Sequence, residues 1–234
     1  MNNQLALIGR AGRQAVVARD WGRVHACGLE IARHAPGNPE GPFLLGLAQK
    51  AAMNLQPAAD YFAQALKLRA ERYDAAIELA FQYVLLNRPA EAKELLDRYR
   101  GHLSNSPIYL NLAGEAYTRM NLHEDAWPLF ESACKLQPEV EMFSVNLASC
   151  AVYRGDIGSA KAIYRQLLKH NPMHRRNHYE LSKLERAEND EHVKEMLEVL
   201  RKTDDEPAKN IYLYYALGKE LEDLERWSEA FDYY

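Results

Sequence analysis

Residues 106–138 read SPIYLNLAGEAYTRMNLHEDAWPLFESACKLQP, and their spacing decides the fold. Leu110, Ala113, Gly114 and Tyr117 fall on one face of a helix, and Ala126, Phe130 and Ala133 on one face of a second. A polar break at residues 121–124 separates them. The spacing predicts two antiparallel helices joined by a tight turn. Such helices approach closely only where side chains are missing, which explains Gly114 and Ala126, while Leu, Phe and Tyr fill the space around.

The same pattern extends in both directions. Gly12, Gly46, Ala80, Gly114 and Ala148 each stand 34 residues after the last, and the series resumes at Gly218 after Ser182. A second series, Ala58, Ala92, Ala126 and Ala160, has the same spacing, with Val24 one period earlier and Ala230 closing it. A 34-residue period fits almost seven times into the 234-residue chain. The sixth unit departs from the pattern. Lys194 and Glu198 stand where Ala and an aromatic are expected, and Ser182 to Gly218 spans 36 residues. Val193, Met196, Leu197 and Leu200 still predict a helix there, with the loop TDDEPAKN at 203–210 absorbing the extra residues.

This unit resembles the tetratricopeptide repeat, with Gly114, Tyr117, Ala126, Phe130, Ala133 and Pro138 in the matching slots. Leu45, Gly46, Ala58, Phe62 and Ala65 match in the second unit. Leu79, Ala80, Tyr83 and Ala92 match in the third, and Leu147, Ala148, Ala160, Tyr164 and Pro172 in the fifth. The first unit keeps Gly12, Val24 and Pro36. The resemblance implies an all-α, right-handed superhelical solenoid of about seven antiparallel helix pairs. It is expected as one domain over 1–234, regular over 5–172, divergent over 173–210 and incomplete over 211–234. HYEL, ALGKELEDL and SEAFDYY give a further likeness, to the repeat region of bacterial tetratricopeptide-repeat sulfotransferases, whose catalytic domain would follow Tyr234.

Composition narrows the function. The chain carries 29 Lys and Arg against 33 Asp and Glu, with 47% hydrophobic and 26% charged residues, the balance of a soluble protein with a sizeable core. A net charge of -4, with both signs spread along the chain, supplies no basic field for nucleic acid or an anionic membrane. No apolar run approaches a signal sequence or a membrane span. Cys27, Cys134 and Cys150 are odd in number and lack a CxxC pair, so a reducing, cytoplasmic setting is expected, with the thiols as buried small hydrophobes.

No residue qualifies as catalytic, and no cofactor or metal is expected. A sulfotransferase needs a phosphate-cradling loop after a strand, and the chain has neither. GRAGR at Gly9–Arg13 sits inside a helical repeat and lacks GK[ST], so its glycines are packing residues. His174 and His178 lie four apart but have no third ligand at convincing spacing, so they mark a helix start. Asp204, Asp205 and Glu206 belong to a solvated loop before Pro207.

What remains is surface. The resemblance implies that the first helix of each pair lines a concave face that receives a peptide or partner helix. The slots beside the core are Phe43, Leu47, Ile77, Phe81 and Val84 in the second and third units, an apolar stripe. In the last two they become Arg176, Tyr179, Lys183, Arg186, Tyr212, Tyr215 and Lys219. Aromatic and Arg residues are frequent binding anchors. The expected function is a non-catalytic scaffold that binds a protein or peptide, with an acidic-aromatic segment as the favoured partner, and that positions it for an enzyme. Chaperone-binding members of the family use a Lys, Asn and Arg clamp in their first three units; here the matching slots are largely apolar, which disfavours that partner class. The alternative is the repeat module of a sulfotransferase, with a repeat-bearing glycosyltransferase more distant. Ala230 and Tyr234 begin a helix without a cap, so an excised module is expected, with a frayed or covered last helix and self-association through Leu217, Leu221, Ala230 and Tyr234.

Overall fold

A computed structural model describes residues 2–103, 105–203 and 207–234. The chain divides into two compact units, Met1–Gln137 and Pro138–Tyr234, where the sequence suggests one continuous domain. The first unit holds four helix pairs: α1 (Asn2–Val17) with α2 (Trp21–His34), α3 (Glu40–Ala51) with α4 (Leu55–Leu68), α5 (Tyr73–Leu85) with α6 (Pro89–Tyr99), and α7 (Pro107–Arg119) with α8 (His123–Leu136). The second holds α9 (Glu141–Tyr153) with α10 (Ile157–His170), α11 (Arg175–Ser182), α12 (Glu191–Lys202), and α13 (Ile211–Asp223) with α14 (Trp227–Phe231). Each unit is an all-α stack of such pairs, and no strand occurs among the described residues.

The small-residue series does what close packing requires. A Cβ added to Gly46 would lie 2.6 Å from the Phe62 ring, one on Gly114 2.7 Å from Phe130, and one on Gly218 2.7 Å from Tyr234. Phe62 and Phe130 on the second helix of their pairs, and Tyr234 just after α14, therefore rest on the bare backbone of the first helix. Ala58, Ala92, Ala126 and Ala160 are wholly buried on the opposite side of the contact. Gly12 serves the same purpose against Leu44 and Cys27, so the GRAGR glycine at that position is a packing residue.

The turns share a second period that composition conceals. Arg19, Met53, Asn87, Asn121 and Gly155 stand 34 apart with positive φ, and Glu225 continues the set in the last pair. The next N–H reaches back to a carbonyl five residues earlier, Asn54 to Gln49 at 3.0 Å, Leu122 to Tyr117 at 2.9 Å and Asp156 to Ala151 at 2.9 Å. This left-handed residue closes the first helix and aims the chain into the second.

The sixth pair breaks that frame. Helices α7 and α9 run five residues past their small slot residue, whereas α11 stops on Ser182. Residues 183–189, KLERAEN, are mostly good helix formers, so tertiary contacts rather than local propensity oppose the helix. Those contacts come from α13. Asp223 accepts the Ala187 N–H at 2.9 Å, Lys219 donates to the Glu185 carbonyl, and Arg186 donates to the Asp223 carbonyl at 3.4 Å. Helix α12 is still in place, burying Val193, Met196 and Val199. Leu197, expected inside, is exposed. Lys194 pairs with Asp190 at 2.9 Å, and Glu198 with Arg201 at 2.8 Å, both on the outer side. The insertion falls between α12 and α13 as expected, but Asp204, Asp205 and Glu206 lie outside the described residues.

At the last pair, Leu217, Leu221 and Ala230 are buried rather than open to water, together with Leu213 and Val193. Trp227, Phe231 and Tyr234 remain exposed there.

Candidate functional site

The apolar stripe read from the second and third units is not an open surface. Phe43 and Ile77 are fully buried, Leu47 and Phe81 nearly so, and Val84 is half-buried. Charged side chains cover the rings. The Arg13 and Arg72 guanidinium carbons lie 4.6 and 4.4 Å from the Phe43 centroid, and Lys50 and Arg119 lie 5.9 and 5.5 Å from that of Phe81. Slot arithmetic gives the face of a helix but not the reach of long side chains from neighbouring slots.

Arg13, Arg72 and Lys50 are held by ion pairs that the sequence reading missed. Arg72 meets Glu40 at 2.9 Å and Asp74 at 2.7 Å, Arg13 meets Glu40 at 2.5 Å and Asp74 at 3.3 Å, and Lys50 meets Glu78 at 2.6 Å. The available signal was Glu40 and Asp74, acidic residues exactly one period apart. Burial pushes the Asp74 carboxyl up, but hydrogen bonding and charge from Arg72, with the Ala75 N–H, hold it below its usual range. Burial dominates at Glu78 and raises it despite Lys50.

The candidates of the second unit are brought together more openly. Tyr179 on α11 and Tyr212 on α13 have ring centroids 5.6 Å apart. Arg176 lies 5.9 Å from the Tyr212 centroid, and Lys183 4.6 Å from that of Tyr179. Tyr212 and Tyr215 are 39% and 53% exposed, and the side chains of Arg176 and Lys183 are 61% and 43% exposed. Glu180 lies between the cations, 2.6 Å from Lys183 and 3.7 Å from Arg176, and is the less exposed charge. Beside this face a 310 Å³ pocket opens between α9 and α11, with Glu141, Val145, Tyr164 and Arg176 in its lining. Lys219 and Arg186 are not part of the face, because they hold the backbone that replaces the end of α11.

That early helix end also opens a larger cavity of about 850 Å³, lined in part by Lys161, Arg165, His178, His192, Glu195 and Glu220. His174 caps α11 by accepting the Asn177 N–H at 3.2 Å, as a helix-start residue should. His178 does something else. Its Nε2 meets the Pro172 carbonyl at 2.8 Å and its Nδ1 meets His192 Nε2 at 2.8 Å, while His192 Nδ1 meets Glu220 Oε1 at 2.6 Å. Burial lowers His178 to about 4. His192, Glu195 and Glu220 carry no motif in the sequence; the only hint was the broken slot pattern at Lys194 and Glu198. Cys27 and Cys150 are buried and Cys134 is half-buried, as small core residues are. No helix among the described residues is long and apolar enough to cross a membrane.

Neither a protein-family model nor a curated protein matches the chain. Solved structures do. PilW, a type IV pilus biogenesis factor, is similar with a TM-score of 0.67 and 14% identity, over 99% of this chain and 98% of that one. YrrB, described as a TPR protein with an unusual peptide-binding site, is similar with a TM-score of 0.59 and 13% identity, over 88% and 96%. PilF of Pseudomonas aeruginosa is similar with a TM-score of 0.60 and 20% identity, over 82% and 88%. These likenesses show the fold, a tetratricopeptide-type helical solenoid. Nothing among them supports the sulfotransferase expectation.

Proposed function

We propose that the chain is a non-catalytic helical scaffold that binds a protein or peptide across α11 and α13 and positions it for an enzyme. The observation that carries this reading is the exposure of Tyr212 and Tyr215 on α13, with Arg176 against the Tyr212 ring and Lys183 against that of its neighbour Tyr179. Two tyrosines offer large contact area at little entropy cost, and the adjoining cations favour carboxylates. An acidic segment with aromatic residues matches both features. The peptide-binding site named for YrrB, on the same fold, supports a peptide as the ligand class. Cys27, Cys134 and Cys150 form no disulfide among the described residues, which suits a reducing compartment.

The probe is a fluorescent peptide of three Asp-Glu-Phe repeats, titrated into the full chain. Both cations are largely exposed, so the double variant Arg176→Glu with Lys183→Glu is expected to fold normally. Its affinity should fall about tenfold or more, and wild-type binding should weaken as salt rises. Equal affinity in the variant and the wild type refutes the site.

A further inference from the structure

The His178 and His192 rings pose a hydrogen-bonding problem that a cation solves. A carbonyl oxygen only accepts, so the 2.8 Å contact with Pro172 requires a proton on His178 Nε2. The 2.6 Å contact with the Glu220 carboxylate likewise places a proton on His192 Nδ1. In neutral rings the other two nitrogens, His178 Nδ1 and His192 Nε2, are then bare lone pairs, and they face each other at 2.8 Å. Something positive must lie between them, a shared proton or a metal ion. Glu195, three residues after His192 on the same face of α12, brings a carboxylate so that all three ligating atoms lie within 4.8 Å of one another.

We propose that His178 Nδ1, His192 Nε2 and the Glu195 carboxylate form a binding site for a divalent transition metal of the zinc class. Two imidazoles and a carboxylate are a ligand set that such ions favour. The outer shell is already built. The Pro172 carbonyl and the Glu220 carboxylate fix both tautomers with the ligating nitrogen inward, the arrangement that orients metal-bound histidines. Glu220 is 3% exposed and its Oε2 has no hydrogen-bond partner, so its negative charge stands buried beside the site. With Glu195 it balances a dication. Tetrahedral coordination at about 2.05 Å would set the two nitrogens about 3.3 Å apart, so the rings must part by about half an ångström. His192 is the second residue of α12, just after the non-helical stretch 183–190, where that movement meets least resistance. All three ligands line the 850 Å³ cavity, so the remaining coordination position opens to water.

The test is calorimetric titration of the metal-free full chain with zinc chloride, with cobalt(II) absorption reporting the geometry. One ion per chain should bind, with a tetrahedral cobalt spectrum. Glu195→Gln, an exposed substitution that leaves the fold intact, should weaken zinc at least tenfold, and His192→Ala should abolish binding with unchanged circular dichroism. Glu220→Gln, acting through His192, should weaken zinc by about 10–100-fold. Zinc binding that survives both His192→Ala and Glu195→Gln would belong to surface residues such as His170 and His174 and would overturn the proposal. So would the absence of binding by the wild type.

Discussion

Gly114→Leu should destabilise the first unit by about 3 kcal/mol, the upper end of ordinary overpacking. Even a Cβ there would meet Phe130 at 2.7 to 2.9 Å, and Phe130 is 2% exposed, so the ring cannot swing into solvent. The remaining atoms of Leu would force α7 and α8 apart. Nothing lies within 4 Å of a Cβ at Gly37 or Gly101, so the same substitution at either should change stability little. Urea unfolding followed by far-UV circular dichroism checks the contrast. Equal midpoints for Gly114→Leu and Gly37→Leu would show that the glycines are not contact points.

Arg72→Ala should cost about 3 kcal/mol at neutral pH, because removing one partner leaves charges stranded in a half-closed site. Arg72 is 11% exposed and holds Glu40 and Asp74, which are 19% and 13% exposed, while its guanidinium covers Phe43. Arg13 touches the same carboxylates but is 44% exposed, so solvent screening limits Arg13→Ala to about 1 kcal/mol. The pH dependence follows from Asp74. Its carboxyl is held below the usual 3.8 in the folded protein, so its ionised form contributes stability above that pH. That contribution is lost as pH falls through the lowered value. The penalty of Arg72→Ala should therefore be full at neutral pH and shrink in acid. A penalty independent of pH would assign the effect to lost packing on Phe43 instead.

The periodic part of this molecule was legible because packing made it so. Gly46 with Phe62, Gly114 with Phe130 and Gly218 with Tyr234 repeat one contact, and a repeated contact leaves a repeated residue type. The turns were less legible. Their left-handed residues include Arg19, Met53 and Glu225, whose side chains do not announce that conformation as Gly155 does. The covered face of the first unit was not legible because Phe43 looks like a groove residue until Arg13 and Arg72 are placed over its ring, and Ile77 is buried in the core. Tyr179 and Tyr212 come together because α11 packs against α13. Lys219 does not join them, because its partner is the backbone of a helix that ends early. His178, His192 and Glu220 come together only through that ending, which leaves no spacing rule to read.

The binding account rests on one face, and hydrogen–deuterium exchange on the full chain with and without the Asp-Glu-Phe peptide tests it most directly. Bound peptide should slow exchange in α11 and α13, at residues 175–183 and 211–219, and leave α3 and α5 unchanged, because the Phe43 and Phe81 rings on those helices are already covered. Protection confined to α3 and α5, or exchange unaltered at saturating peptide, would contradict it.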